Sequence, residues 1–110
     1  MTTDLASTER DLVDELREIA TGMNACLLEV GQRRAKGSGT TVGFPDLVLV
    51  CAGQVQLIEV KRPKTADHPQ GYITLGQQAV IERCAEQHVT VHVIDHAQQF
   101  VEIINSTRRR

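Results

Sequence analysis

The sequence predicts an α/β fold: a mixed central sheet flanked by helices, with elements in the order αβββαβα. Three observations carry this. Two runs rich in β-branched residues, Leu47 to Cys51 and Val55 to Val60, are separated by Ala52-Gly53, which is the pattern of an antiparallel hairpin. Three other stretches repeat apolar residues at i, i+3, i+4 and i+7, the period of helices with one buried face. Finally, the run Val89 to Ile94 follows the second of these helices. A strand–helix–strand unit of that kind closes as a right-handed crossover onto a parallel strand.

The chain has 110 residues, of which 41% are hydrophobic and 24% charged. That is enough for one domain, residues 1–110, with a single modest core, and it argues against disorder. No run approaches a membrane span, and the start of the chain lacks the basic-then-apolar plan of a signal peptide. Cys26, Cys51 and Cys84 are odd in number, scattered and set in apolar segments. Buried free thiols in a reducing cytoplasm are therefore expected, rather than disulfides or zinc.

Residues 1–6 are expected to fray. A first helix starts at Ser7 or Thr8, both good N-caps, and runs to about Thr21, with Gly22 ending it. Leu12, Val13, Leu16, Ile19, Ala20 and Met23 form its buried stripe. Glu9 precedes Leu12 and Val13 by three and four residues, so it points toward that same face. Stabilisation of the helix dipole explains it, and a functional carboxylate explains it equally well. Ala25 to Val30 reads as a strand, and Gly31 to Thr41 as a basic, Gly/Ser-rich loop.

The central hairpin has apolar residues on both faces, so helices are expected to cover both sides. Arg62 to Tyr72 is a polar loop. Thr74-x-x-Gln77 has the form of a capping box and opens a helix to about Gln87, with Val80, Ile81 and Cys84 as its buried stripe. Asp95 is expected to cap the last helix, whose apolar positions are Ala97, Phe100, Val101 and Ile104. Residues 106–110 are expected to fray.

The chemistry concentrates between Gly43 and Lys61. With the turn centred on Ala52-Gly53, Asp46 lies directly across from Glu59 on the same face. Lys61 is two residues beyond Glu59 and shares that face. Two carboxylates and an amine thus meet at one end of a two-stranded ribbon. Facing carboxylates repel, and a divalent cation between them is the usual relief. Oxygen ligands suit Mg²⁺ or Mn²⁺. A lysine beside them can orient a water or neutralise charge on a phosphoryl oxygen.

Charge distribution is less decisive. The formal net charge is −2, yet Arg33, Arg34 and Lys36 cluster before Asp46, while Lys61, Arg62 and Lys64 cluster after Glu59. Contacts to nucleic-acid phosphates and a solvated basic surface are both open. His88, His92 and His96 are spaced by four, but they span a helix end, a strand and a turn and so would not share a face. Gly37-Ser38-Gly39 lacks the Lys-Ser/Thr of a Walker loop. One Tyr and two Phe leave little for base stacking.

Pro45-Asp46 followed by Glu59-Val60-Lys61 resembles the PD-(D/E)xK nuclease signature. The wider pattern GFPD…IEVKRP…ITLGQ…VHVID is similar to that of the virus-type replication-repair nuclease (VRR-NUC) domain in its small stand-alone form, from about Glu9 to Ile104. The resemblance implies a Mg²⁺- or Mn²⁺-dependent nuclease acting on DNA, with no small-molecule cofactor. It implies metal ligation by Asp46, Glu59 and the Val60 carbonyl, and a catalytic set of Asp46, Glu59, Lys61, Gln77 and Glu9, with Asp14 and Glu15 as weaker choices. It also implies a homodimer acting on branched DNA, in the cytoplasm of a bacterium or encoded by a phage. Arg33, Arg34, Lys36, Arg62 and Lys64 are the expected phosphate contacts. A DNA-binding module without turnover, and an RNA nuclease of the same fold, are the alternatives.

Overall fold

The computed structural model describes residues 8–30, 41–62 and 71–110. Helix α1 (Glu9–Gly22) is N-capped by Thr8, whose hydroxyl accepts from the Asp11 N–H at 3.0 Å. Leu12, Val13, Leu16 and Ala20 bury its apolar stripe. Gly22 is the last helical residue but not the expected left-handed terminator. Met23 is the cap, and a Schellman motif follows in which the N–H groups of Asn24 and Ala25 donate to the carbonyls of Thr21 and Ala20. The left-handed residue is Asn24, at φ 56°, because its short polar side chain tolerates that region.

Strands β1 (Cys26–Glu29), β2 (Leu47–Cys51) and β3 (Gln54–Val60) form an antiparallel meander. Strand β4 (Val91–Ile94) lies parallel to β3, giving the order β1-β2-β3-β4. Leu47 pairs with Ile58 and Cys51 with Gln54, so the pairing is the one read from the turn. Ala52 and Gly53 both have positive φ, 53° and 76°. That is the two-residue geometry whose twist matches the strands it joins.

Helix α2 (Leu75–Glu86) is capped by Thr74, and helix α3 (Ala97–Arg108) by His96. Asp95 is not the cap. The side chain of Gln99 folds back instead, and its Oε1 accepts from the N–H groups of Asp95 and His96. The final residues also depart from expectation, since α3 continues to Arg108 and Thr107 is 1% exposed. Thr107 is held there because its hydroxyl donates to the Ile103 carbonyl and accepts from Gln56 Nε2.

One sheet face is covered by α1 and α3. Leu27, Leu47, Leu49, Ile58, Val60 and Ile94 meet Leu12, Leu16, Phe100 and Ile104 in a continuous core. The other face carries α2, so helices flank the sheet on both sides as expected, but this side is packed less deeply. Among the described residues α2 alone lies there; none of its residues is buried, and Val80, Ile81 and Cys84 are half-buried. Leu28, Val50, Val55 and Val93 remain exposed there, as does Cys26, which contradicts the expectation of three buried thiols. Among the described residues no helix is long and apolar enough to cross a membrane.

Candidate active site

Backbone pairing brings Asp46 to the mouth of the hairpin. Its carbonyl accepts from the Val30 N–H at 2.9 Å, extending the β1–β2 ladder by one bond, and Pro45 before it is fully buried. With its main chain fixed on one side, Asp46 reaches across to the other strand, where its Oδ2 accepts from the Val60 N–H at 3.0 Å.

Glu59 and Lys61 follow on β3 and just beyond it. Both are buried, at 2% and 6% exposure, which is costly for charged groups unless they are paired. Gln77 supplies the pairing. Its Nε2 donates to Glu59 Oε2 at 2.6 Å, and its Oε1 accepts from Lys61 Nζ at 2.6 Å. Lys61 Nζ also lies 3.5 Å from Glu59 Oε2. The same Gln77 Oε1 accepts from the Thr74 N–H at 3.0 Å, while Thr74 Oγ1 accepts from the Gln77 N–H at 3.1 Å. The capping box of α2 therefore holds the amide that bridges acid and base.

One atom is left over. Glu59 Oε1 is buried without a hydrogen-bond partner. Burial, then the neighbouring Asp46 charge, pushes the Glu59 carboxyl up to about 8, while Lys61 pulls the other way. Two acceptor oxygens side by side are satisfied by a shared proton or by a cation.

Other residues implied by the resemblance are distributed unequally. Glu9 lines a cleft of about 440 Å³ together with Thr8, Lys61, Arg62, Gly71, Tyr72 and Thr74. It shares this opening with Lys61, but no three His, Cys, Asp or Glu side chains gather to hold a metal among the described residues. Asp14 lies apart, bonded to Arg10 on the outer face of α1, and Glu15 is exposed. Val60 buries its side chain in the core and gives its N–H to Asp46. Arg62 is at the cleft, and its carbonyl accepts from the Gly71 N–H at 2.9 Å. Arg33, Arg34, Lys36 and Lys64 lie outside the described residues. The cleft wall made by Gly71, Tyr72 and Thr74 had no signal beyond the capping box, because it forms where two distant segments close together.

No protein-family model and no curated protein matches the chain. A solved structure described as a VRR_NUC domain protein shares its fold, with a TM-score of 0.60 over 87% of each chain and 17% identity. The αβββαβα order and the four-stranded mixed sheet are thus a fold this chain shares with that structure.

Proposed function

We propose that this chain is a divalent-metal-dependent nuclease that hydrolyses phosphodiester bonds in DNA. The observation that carries the reading is the convergence of Asp46, Glu59, Lys61 and Gln77 at one end of the hairpin, with Glu59 Oε1 buried and unpartnered beside Asp46. This donor set fits a hard cation such as Mg²⁺ or Mn²⁺, which Asp46, Glu59 and the Val60 carbonyl would hold. Such an ion would supply Lewis-acid polarisation of a phosphoryl oxygen and a lowered pKa for a bound water.

The remaining chemistry belongs to the chain. Gln77 keeps the Lys61 ammonium in one place by accepting a hydrogen bond from one of its N–H groups, leaving the others for an attacking water or a non-bridging phosphate oxygen. Glu9, at the rim of the same cleft, accepts a hydrogen bond from water entering beside Lys61. Arg62, with the basic residues Arg33, Arg34, Lys36 and Lys64, neutralises the flanking phosphates.

The test is incubation of the purified protein with labelled linear, flapped and four-way DNA and with RNA, in Mg²⁺, Mn²⁺ or EDTA. DNA cleavage that EDTA abolishes is the expected result. Binding without cleavage under every metal condition would favour a DNA-binding module, and cleavage confined to RNA would move the substrate class. Light scattering of the free protein decides the homodimer that the resemblance implies. The triple variant Arg33→Ala/Arg34→Ala/Lys36→Ala is expected to flatten the salt slope of DNA binding by up to ~3, about 0.9 per lost phosphate contact. An unchanged slope assigns the phosphate contacts to other residues.

A further inference from the structure

Segment 41–44, just before Pro45-Asp46, makes a tight turn in which the Phe44 N–H donates to the Thr41 carbonyl at 3.2 Å. Gly43 stands at its third position with φ +88°, as a type II turn requires. A second constraint at Gly43 is independent of the turn. A Cβ there would lie 2.3 Å from both the carbonyl carbon and oxygen of Gly76 and 2.7 Å from the Gln77 nitrogen. The approach is backbone to backbone, so no side-chain rotation relieves it. A Cβ on Gly76 would in turn lie 3.0 Å from a methyl of Val42.

The two segments in contact lead straight into the site. Gly43 is three residues before Asp46, and Gly76 is adjacent to Gln77. No residue of α2 is buried, so the helix lacks the deep packing that would otherwise fix its first turn. We propose that the Gly43–Gly76 contact is a positioning joint: it seats the first turn of α2 so that Gln77 reaches Glu59 and Lys61 together. The kinetic arm of the test rests on the nuclease reading, and the spectroscopic arm does not.

Gly43→Asn separates the two constraints, because asparagine tolerates positive φ but carries the Cβ. The folded variant is expected to shift the Gln77 side-chain amide resonances toward those of a free amide in ¹⁵N-labelled protein, as the bond to Glu59 lengthens. Its kcat on DNA should fall about 10- to 100-fold with little change in KM, the scale of a small misplacement in a reacting site. Should Gly43→Asn not fold, Gly76→Ala applies a smaller push while favouring the helix. Its Gln77 amide shift should appear without a lower Tm and be reversed in Val42→Ala/Gly76→Ala.

A Gln77 amide that stays at its wild-type position in folded Gly43→Asn overturns the inference. So does a shift in Gly76→Ala that removing the Val42 methyls fails to reverse. A wild-type protein that cuts no nucleic acid sinks the nuclease reading alone, and the amide measurement then still decides the joint.

Discussion

Lys61→Met is expected to lose cleavage by on the order of 10²-fold or more while keeping its affinity for Mn²⁺. Methionine retains an unbranched stem in the nearly buried position and removes only the ammonium. The fold should survive, because Gln77 Oε1 keeps the Thr74 N–H as donor and its Nε2 keeps Glu59 as acceptor. Affinity for the cation should hold or rise, since a positive charge 3.5 Å from Glu59 Oε2 competes with it. Single-turnover rates at saturating metal, with calorimetry of Mn²⁺ binding, measure the two quantities separately. Wild-type turnover would remove Lys61 from the catalytic groups, and a parallel loss of metal binding would make its role structural.

Asp46→Asn and Glu59→Gln should both abolish cleavage, yet stabilise the protein in EDTA. Asparagine retains an oxygen for the Val60 N–H and places an amide donor where Asp46 now crowds Glu59. Relief of one like-charge contact between half-buried Asp46 and buried Glu59 amounts to at most ~4 kcal/mol for charges about 4 Å apart at an effective dielectric near 20.

The pH dependence follows from Glu59, whose carboxyl stands at about 8 in the fold against its ordinary value of 4.5. Between those values the native state holds a proton that the unfolded chain has released. The resulting stabilisation is fully present below 4.5 and is lost as pH rises through about 8, with a slope of at most ~1.4 kcal/mol per pH unit for one proton. Glu59→Gln, which never ionises, should flatten that slope, so its advantage over the parent grows from pH 5 to pH 9. Mn²⁺ should raise the parent's Tm and leave both variants nearly unmoved, because binding to the native state alone stabilises it. Denaturant titrations across pH, with and without metal, check all of this. Equal pH slopes in parent and Glu59→Gln would show that Glu59 ionises normally, and an equal metal response would place the cation elsewhere.

Much of the fold was legible in the chain because it is written in short-range terms. The two-residue turn at Ala52-Gly53 sets the β2–β3 register, and every pair from Leu47 with Ile58 to Cys51 with Gln54 follows from it. The same register puts Asp46, Glu59 and Lys61 at one end of the ribbon. Thr74 and Gln77 announce a capping box at a separation of three, and the apolar periods announce three helices. Local patterns were misleading where a competing local partner was stronger. Gln99 outdid Asp95 at the start of α3, and Asn24 outdid Gly22 as the left-handed terminus of α1.

What only the tertiary structure decided involves pairs of segments far apart in the chain. Gln77 bridging Glu59 and Lys61, Thr107 buried under Gln56, and Gly43 set against Gly76 each depend on where a whole helix comes to rest. The sheet face left open around Val50, Val55 and Val93 is decided in the same way. A backbone turn or a cap is satisfied within three or four residues, so the sequence specifies it by itself. Desolvation of Glu59, and the single oxygen it leaves without a partner, arise only when remote elements have packed and excluded water.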